Sequence, residues 1–221
     1  MKRHFLITAG GTREYIDPVR FISNASSGKM GYALGRAALR AGHKVTLITG
    51  PSQARTPNQA KIVKVQTAGE MFKAVRCYFW KCDCLIMAAA VSDYTPVKIS
   101  KTKIKKARAD LNIKLKPTTD ILKWAGANKS KDYKSRTKNR RPGRFIVGFA
   151  LEDRNLRANA DGKLKEKNLD MIIANYPAAI SADKTSVQIR MKDSKWQKLP
   201  PAAKTTIAGK IIKLLEPKIL P

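Results

Sequence analysis

An α/β fold built on a doubly wound, mostly parallel sheet is predicted for this 221-residue chain by three observations. Short apolar runs alternate with longer stretches whose apolar residues recur at helical spacing. Glycine or proline bounds most of the runs, as at strand ends that lead into turns. The runs are also nearly continuous in hydrophobicity, as expected of strands covered on both faces.

Phe5-Leu6-Ile7-Thr8-Ala9, stopped by Gly10-Gly11, is the first such strand. A helix starts near Ser27: across Lys29–Ala41, residues Met30, Ala33, Leu34, Ala37, Ala38 and Ala41 share one face, and Gly42 is the stop. Lys44–Thr49, closed by Gly50-Pro51, is the second strand and Lys61–Val65 a short third. Glu70–Trp80 reads as a helix on Met71, Ala74, Val75 and Tyr78, and Cys84–Ala90 as a buried strand. From Ser92 the pattern shifts: Thr102–Arg108 and Leu111–Leu115 predict an exposed strand pair in a basic flap at about 98–116. Asp120–Ala127 is helical, and residues 128–144, dense in Lys, Arg, Ser and Asn, predict a mobile basic loop with no apolar anchor. The sheet resumes at Phe145–Ala150, followed by a helix carrying Leu156, Ala160 and Leu164 and by the strand Met171–Ala174. Ser186–Met191 alternates like an edge strand, and Lys204–Leu215 is a terminal amphipathic helix. Without internal repeats, the length predicts a single domain over 1–221.

The longest apolar stretch, Leu85–Val91, falls far short of the roughly 20 residues of a membrane span, and the amino end lacks a signal-peptide core. A cytoplasmic protein away from membranes is expected. Three cysteines within eight residues, Cys77, Cys82 and Cys84, suit neither a disulfide framework nor a zinc site. Net charge is +29, concentrated in residues 96–144, which carry 17 Lys and Arg against three acids. Such a balance ordinarily points to nucleic acid or another anionic partner.

Gly28, Gly31 and Gly35 follow a strand and open a helix, yet the spacing fits no standard nucleotide fingerprint. Some fifteen residues separate Gly11 from the helix, and the second strand ends Thr49-Gly50-Pro51 without the acid that holds a ribose in NAD sites. Ser23 and Met30 occupy the first-glycine and hydroxyl positions of a P-loop. What remains is Ser26-Ser27-Gly28 at a helix N-terminus, which suits a phosphate and equally an ordinary cap with close helix packing.

Three segments, Thr8–Glu14, Asp17–Asn24 and Ser26–Gly31, together with Ala88–Tyr94, Lys103–Lys106, Thr119–Leu122, Val147–Glu152 and Lys167–Asp170, resemble the phosphopantothenate-cysteine ligase family in order over roughly residues 5–175. The resemblance implies a Rossmann-like sheet with an added flap and dimerisation strand region. It also implies a coenzyme A biosynthesis step: 4'-phosphopantothenate is joined to L-cysteine through an acyl-nucleotide formed from CTP or ATP, with Mg2+ accompanying the triphosphate. CTP is the expected nucleotide. By the same resemblance Asn24 and Lys103 are the catalytic candidates, Asn24 also holding the substrate's acyl group and Lys103 belonging to the flap. Ser27, Gly28, Ala88, Ala89, Asp93, Lys103, Thr119, Asp120, Ile121, Leu122, Phe149, Lys163 and Lys167 are the nucleotide-binding candidates. Asp120 equally suits a helix N-cap and Asn24 a turn. No metal ligand is evident.

A homodimer is implied, with each flap covering its partner's site. In bacteria the family's domain is commonly fused behind a flavin-dependent decarboxylase, so a chain starting at the ligase predicts a stand-alone form. The sequence departs from the family at Gly11, a frequent proline, and at Lys116–Thr119. The rival reading, a basic nucleic-acid-binding protein on the same fold, rests on the charge. Against it, the basic region carries only Trp124 and Tyr133 for base stacking and no recognised binding motif. An NAD(P)-dependent reductase is disfavoured by the missing acid.

Overall fold

The structure, a computed structural model, describes residues 1–106, 110–131, 143–180 and 182–219. The first apolar run is β1 (His4–Ala9), and the chain then makes a short hairpin, β2 (Arg13–Tyr15) and β3 (Phe21–Ser23). Next come α1 (Lys29–Arg40), β4 (Lys44–Thr49), β5 (Lys61–Lys64), α2 (Ala68–Phe79) and β6 (Cys84–Met87). A second hairpin-like pair, β7 (Tyr94–Pro96) and β8 (Leu115–Pro117), brackets the flap. It leads to α3 (Ile121–Asn128), β9 (Phe145–Leu151), α4 (Leu156–Glu166), β10 (Met171–Asn175), β11 (Lys184–Met191), β12 (Gln197–Ala203) and α5 (Lys204–Leu215).

Eight strands form one sheet in the order β12-β11-β10-β9-β6-β1-β4-β5. The six from β10 to β5 are parallel, and β11 and β12 add antiparallel at one edge. Chain order reverses direction between β1 and β6, so the carboxyl ends of these two strands flank the crevice where ligands bind in open α/β sheets.

Period-two alternation divides the core into two layers. Phe5, Ile7, Ala9 and Leu47 pack under α1 and α5, whereas Leu6, Ile48, Leu85, Ile146 and Ile172 pack under α2, α3 and α4. Each of these fully buried Leu, Ile and Phe side chains contributes roughly 1.5–3 kcal/mol relative to an exposed one. Gly31 allows α1 to touch β1, since an added Cβ would lie 2.6 Å from Ala9 Cβ. Cys82 and Cys84 are free and buried, and burial pushes the Cys82 thiol up to about 12, which leaves it protonated and unreactive.

Several sequence expectations are corrected. Ser186–Met191 is not an edge: β11 starts at Lys184 and is flanked by β12, the true edge, where Pro200 and Pro201 are tolerated because one side of an edge strand needs no partner. Thr102–Lys106 forms no strand, because Ile104 commits its amide to Asp17 and its carbonyl to Arg20, while 107–109 lie outside the described residues. The second flap strand is shifted to Leu115–Pro117, where it pairs with Tyr94–Pro96.

The loop expected at 128–144 is anchored at both described ends. Buried Arg144 lies 5.1 Å over the Trp80 ring and donates to the Lys131 and Trp80 carbonyls, and Lys129 pairs with Asp170 at 2.7 Å. Residues 132–142 lie outside the described residues. Among those described, no helix is long and apolar enough to cross a membrane.

Candidate active site at the strand ends

The crevice is built from backbone groups held by threonines. Past Met87 the chain leaves the sheet, and Thr8 Oγ1 accepts the Ala89 amide at 3.1 Å while Thr12 Oγ1 accepts that of Ser92 at 2.9 Å. The Ala90 amide donates to the Gly10 carbonyl, and the Ala90 carbonyl accepts from Thr12. Asn24, leaving β3, donates Nδ2 to the carbonyls of Ala90 (3.2 Å) and Val91 (3.3 Å). Two carbonyl neighbours fix the amide's orientation. Both its donors are engaged, so what Asn24 offers a ligand is its Oδ1 acceptor.

Beside this junction, over the ends of β6 and β9, is a cavity of about 160 Å3. It gathers nine of the nucleotide-binding candidates: Ala89, Asp93, Thr119, Asp120, Ile121, Leu122, Phe149, Lys163 and Lys167. Met87, Val91 and Thr118 complete the wall.

Asp120 caps α3, accepting the Lys123 amide at 2.9 Å, and also pairs with Lys167 at 2.8 Å. The N-cap role open to it in the sequence is the one its carboxylate fills here, with an ion pair to Lys167 beside it. Burial opposes its ionisation, but Lys167 and the Lys123 amide outweigh this and hold its pKa below the ordinary aspartate value. Lys163 donates to the Phe149 carbonyl at 2.7 Å. Burial, reinforced by neighbouring Lys167, lowers its pKa against the opposing charges of Glu152, Asp120 and Asp93. The cavity wall thus sets two lysines against Asp93 and Asp120, and it is burial first that disfavours the Lys163 ammonium, a penalty that an anion bound there would reduce.

The other candidates lie outside this cavity. Ala88 falls on the opposite face from Ala89 and packs against the α1 and α5 layer. Ser27 and Gly28 sit at the end of β1. Gly28 caps α1 with φ 76°, and its Cα lies so close to Gly10 that an added Cβ would come 3.0 Å from that residue's amide nitrogen. The Gly28 amide is met by Ser26 Oγ at 3.3 Å, so the amides there are less open than the sequence suggests. Lys103 is exposed in the flap.

Sequence reasoning missed the residue that holds the flap. Asp17 is fully buried, and its carboxylate accepts from the Val19, Arg20 and Ile104 amides and from the Arg20 guanidinium. Arg20 also donates to the Ile104 carbonyl. The neighbour of Lys103 is thus clamped to the β2–β3 turn, and the Ser100 amide donates to the Ile16 carbonyl beside it. Asp17-Pro18-Val19 carries a readable signal, since an aspartate bonding the amide two residues on is a common turn device.

Burial disfavours the Asp17 carboxylate, yet its donors overcome this and hold its pKa far below the usual 3.8. Its stabilisation is complete above that unfolded value and lost as pH falls below it. Asp17→Asn is therefore expected to lower the urea midpoint at neutral pH and to flatten the acid limb of the midpoint against pH. Parallel acid limbs in the two proteins would remove the carboxylate from this role.

Fold and site together define an open α/β domain with a lysine-lined crevice where its strand order reverses. The chain belongs to the family described as the DNA/pantothenate metabolism flavoprotein C-terminal domain, which it matches over residues 1–218. It is 40% identical over 215 residues to the coenzyme A biosynthesis bifunctional protein CoaBC of Bacillus subtilis (strain 168), covering 95% of this chain and 50% of that protein. The crystal structure of the C-terminal domain of a CoaBC protein superposes with TM-score 0.80 at 36% identity, covering 98% of this chain and 95% of that one. A Cab2 variant in complex with phosphopantothenate-cysteine, 17% identical with TM-score 0.75, shares the fold over 98% of this chain and 86% of its own. The chain spans about half the length of the bifunctional relatives it matches.

Proposed function

We propose that this chain is a ligase of coenzyme A biosynthesis that joins 4'-phosphopantothenate to L-cysteine. A substrate carboxylate oxygen attacks the nucleotide's α-phosphorus and pyrophosphate leaves. The cysteine amine then attacks the acyl carbon, loses a proton and expels the nucleoside monophosphate. The observation that carries this reading is the convergence of nine expected nucleotide contacts on one cavity with the Lys163–Lys167 pair in its wall. Donors fixed in advance where negative charge gathers are what phosphoryl and nucleotidyl transfer require.

The cavity is smaller than the roughly 300–1,000 Å3 of pockets that enclose a whole ligand. In this proposal it takes part of the nucleotide, CTP in preference to ATP because a pyrimidine is the smaller base. The reacting phosphate lies toward Asn24 at the β1–β6 junction, where Oδ1 accepts from the incoming amine. No cluster of three or more His, Cys, Asp or Glu side chains suited to a metal gathers among the described residues. Magnesium is proposed only as a companion of the triphosphate, and no step is assigned to it.

A homodimer is part of the proposal. Val19, Phe21, Tyr94, Val97, Ile99 and Leu115, all exposed, lie on the two small hairpins and the flap, and β2 packs on β7. Such a patch suits a second copy, which would bring one subunit's Lys103 to its partner's cavity.

Pyrophosphate release with 4'-phosphopantothenate and cysteine tests the reaction, and CTP is expected to exceed ATP in kcat/KM. Lys103→Gln is expected to slow turnover with an unchanged unfolding midpoint. If the flap acts across the dimer, co-expressed Lys103→Gln and Lys163→Met subunits recover activity that neither has alone. Release that does not require phosphopantothenate would overturn the assignment.

A further inference from the structure

A concavity larger than the one described above is also present. On the opposite side of the sheet, between α1, the 54–59 loop and the start of α5, is a cleft of about 920 Å3. That volume is within the roughly 300–1,000 Å3 typical of small-molecule pockets. Among the described residues, five cationic side chains line it, Lys29, Arg36, Arg40, Arg55 and Lys204, against one carboxylate, Asp183.

Its walls are ordered by polar contacts. Arg36 Nη1 donates to the Arg55 carbonyl at 3.1 Å, tying the loop to α1, and Lys29 Nζ donates to Asp183 Oδ1 at 2.6 Å. Lys204 is only 9% exposed. Neither α1 nor α5 carries an acid in its first turn, so the positive helix ends add to the same field.

Lys29, Arg40 and Arg55 are exposed, Arg36 is half-buried and Lys204 buried, and cations gathered along one concave wall repel one another more than dispersed ones unless an anion joins them. Asp183 supplies one negative charge from a side chain 87% exposed. The shortfall is large, and three of the five cations are guanidinium groups, whose forked donors match phosphate oxygens two at a time.

We propose that this cleft is a second ligand site, separate from the strand-end cavity, for a small molecule bearing two or more phosphates, and that Asp183 occupies Lys29 until the ligand replaces it. Among the described residues, the cleft lining contains no aromatic side chain on which nucleic-acid bases could stack. The observations therefore favour a small polyphosphate over a single-stranded nucleic acid, and the site accounts for part of the +29 charge without one.

Calorimetric titration with inorganic triphosphate tests the proposal. Wild type is expected to show two classes of site, and Lys163→Met, which disables the strand-end cavity, to retain one. In that background Arg40→Gln with Arg55→Gln is expected to weaken the remaining site by about tenfold, about threefold for each of two exposed charge contacts. Lys73→Gln with Lys165→Gln, an equal loss of exposed charge elsewhere, should change affinity by less than about twofold, in line with screened surface charges.

Asp183→Asn gives the opposite sign. Removing the competing carboxylate should tighten triphosphate binding by about threefold, on the order of one surface ion pair, whereas a diffuse charge effect would move all variants alike. The proposal is overturned if the Arg40 and Arg55 substitutions leave binding unchanged, if Asp183→Asn weakens it, or if a short DNA duplex binds the cleft and triphosphate does not.

Discussion

Lys163→Met is expected to lower kcat/KM for pyrophosphate release by about 100- to 1,000-fold, the usual consequence of removing one donor fixed on developing negative charge, while the protein loses no more than about 1 kcal/mol of stability. The two halves of this result have separate causes. Lys163 lines the cavity and its ammonium is positioned by the Phe149 carbonyl, so methionine keeps the length of the stem but, in the proposed reaction, would leave the phosphate oxygens without this donor. In the free protein the same ammonium is disfavoured, because burial and then Lys167 lower its pKa.

The sign follows from proton linkage. The unfolded chain binds this proton more tightly than the folded one, so Lys163 opposes folding below its folded pKa, and stability rises as pH climbs toward the unfolded value of 10.5. The variant should lack that rise and should not be less stable at neutral pH by more than about 1 kcal/mol, the worth of one hydrogen bond to the Phe149 carbonyl. Denaturant titrations at neutral and alkaline pH, beside steady-state kinetics, separate the outcomes. Turnover within a few-fold of wild type would remove Lys163 from phosphate binding, and a loss of activity matched by a loss of stability would make it a structural residue.

Sequence reading had purchase on the fold where burial leaves a pattern. Strands such as Phe5–Ala9 and Met171–Ala174 were legible because burial on both faces demands unbroken apolar runs, and the α1 face because its apolar spacing is regular. β12 was not legible, since Pro200 and Pro201 argue against a strand unless one knows it lies at an edge. The β2–β3 hairpin was hidden by strands of three residues, too short for alternation to register.

At the site, the ordered motifs located the cavity wall but not the phase of the chain beyond β6. Ending the strand at Met87 turns Ala89 into the cavity and Ala88 away from it, and nothing in a run of three alanines encodes that choice. The anchors of the basic loop were equally unreadable, because a buried arginine such as Arg144 looks in sequence like every solvated one around it.

A second large effect is expected from the smallest substitution available. Gly126 lies in α3, where a Cβ would come 1.9 Å from the Lys167 carbonyl oxygen and 2.9 Å from its carbon. The obstacle is backbone, so no rotamer change relieves it. The turn it strikes is itself fixed: Asn168 has φ 48° and donates Nδ2 back to the Gly126 carbonyl at 3.1 Å. Gly126→Ala must therefore lever α3 away from the end of α4, separating Asp120 from Lys167 and opening the cavity between them.

Overpacking of this kind costs typically 1–3 kcal/mol and occasionally more, and about 3 kcal/mol corresponds to a fall in Tm of roughly 6–12 °C for a chain of this size. KM for the nucleotide should rise as well, because Asp120, Ile121 and Leu122 move with the helix. Gly162→Ala is the control. It too is a helical glycine, but nothing lies within 4 Å of its added Cβ. There alanine should raise stability by about 0.5–1 kcal/mol through backbone entropy alone, with kinetics unchanged. Opposite signs at the two glycines would show that contact between α3 and the Lys167 turn, rather than helix propensity, holds the cavity wall in place. Equal shifts would mean that α3 rides freely over that turn and that the lysine pair is positioned by α4 alone.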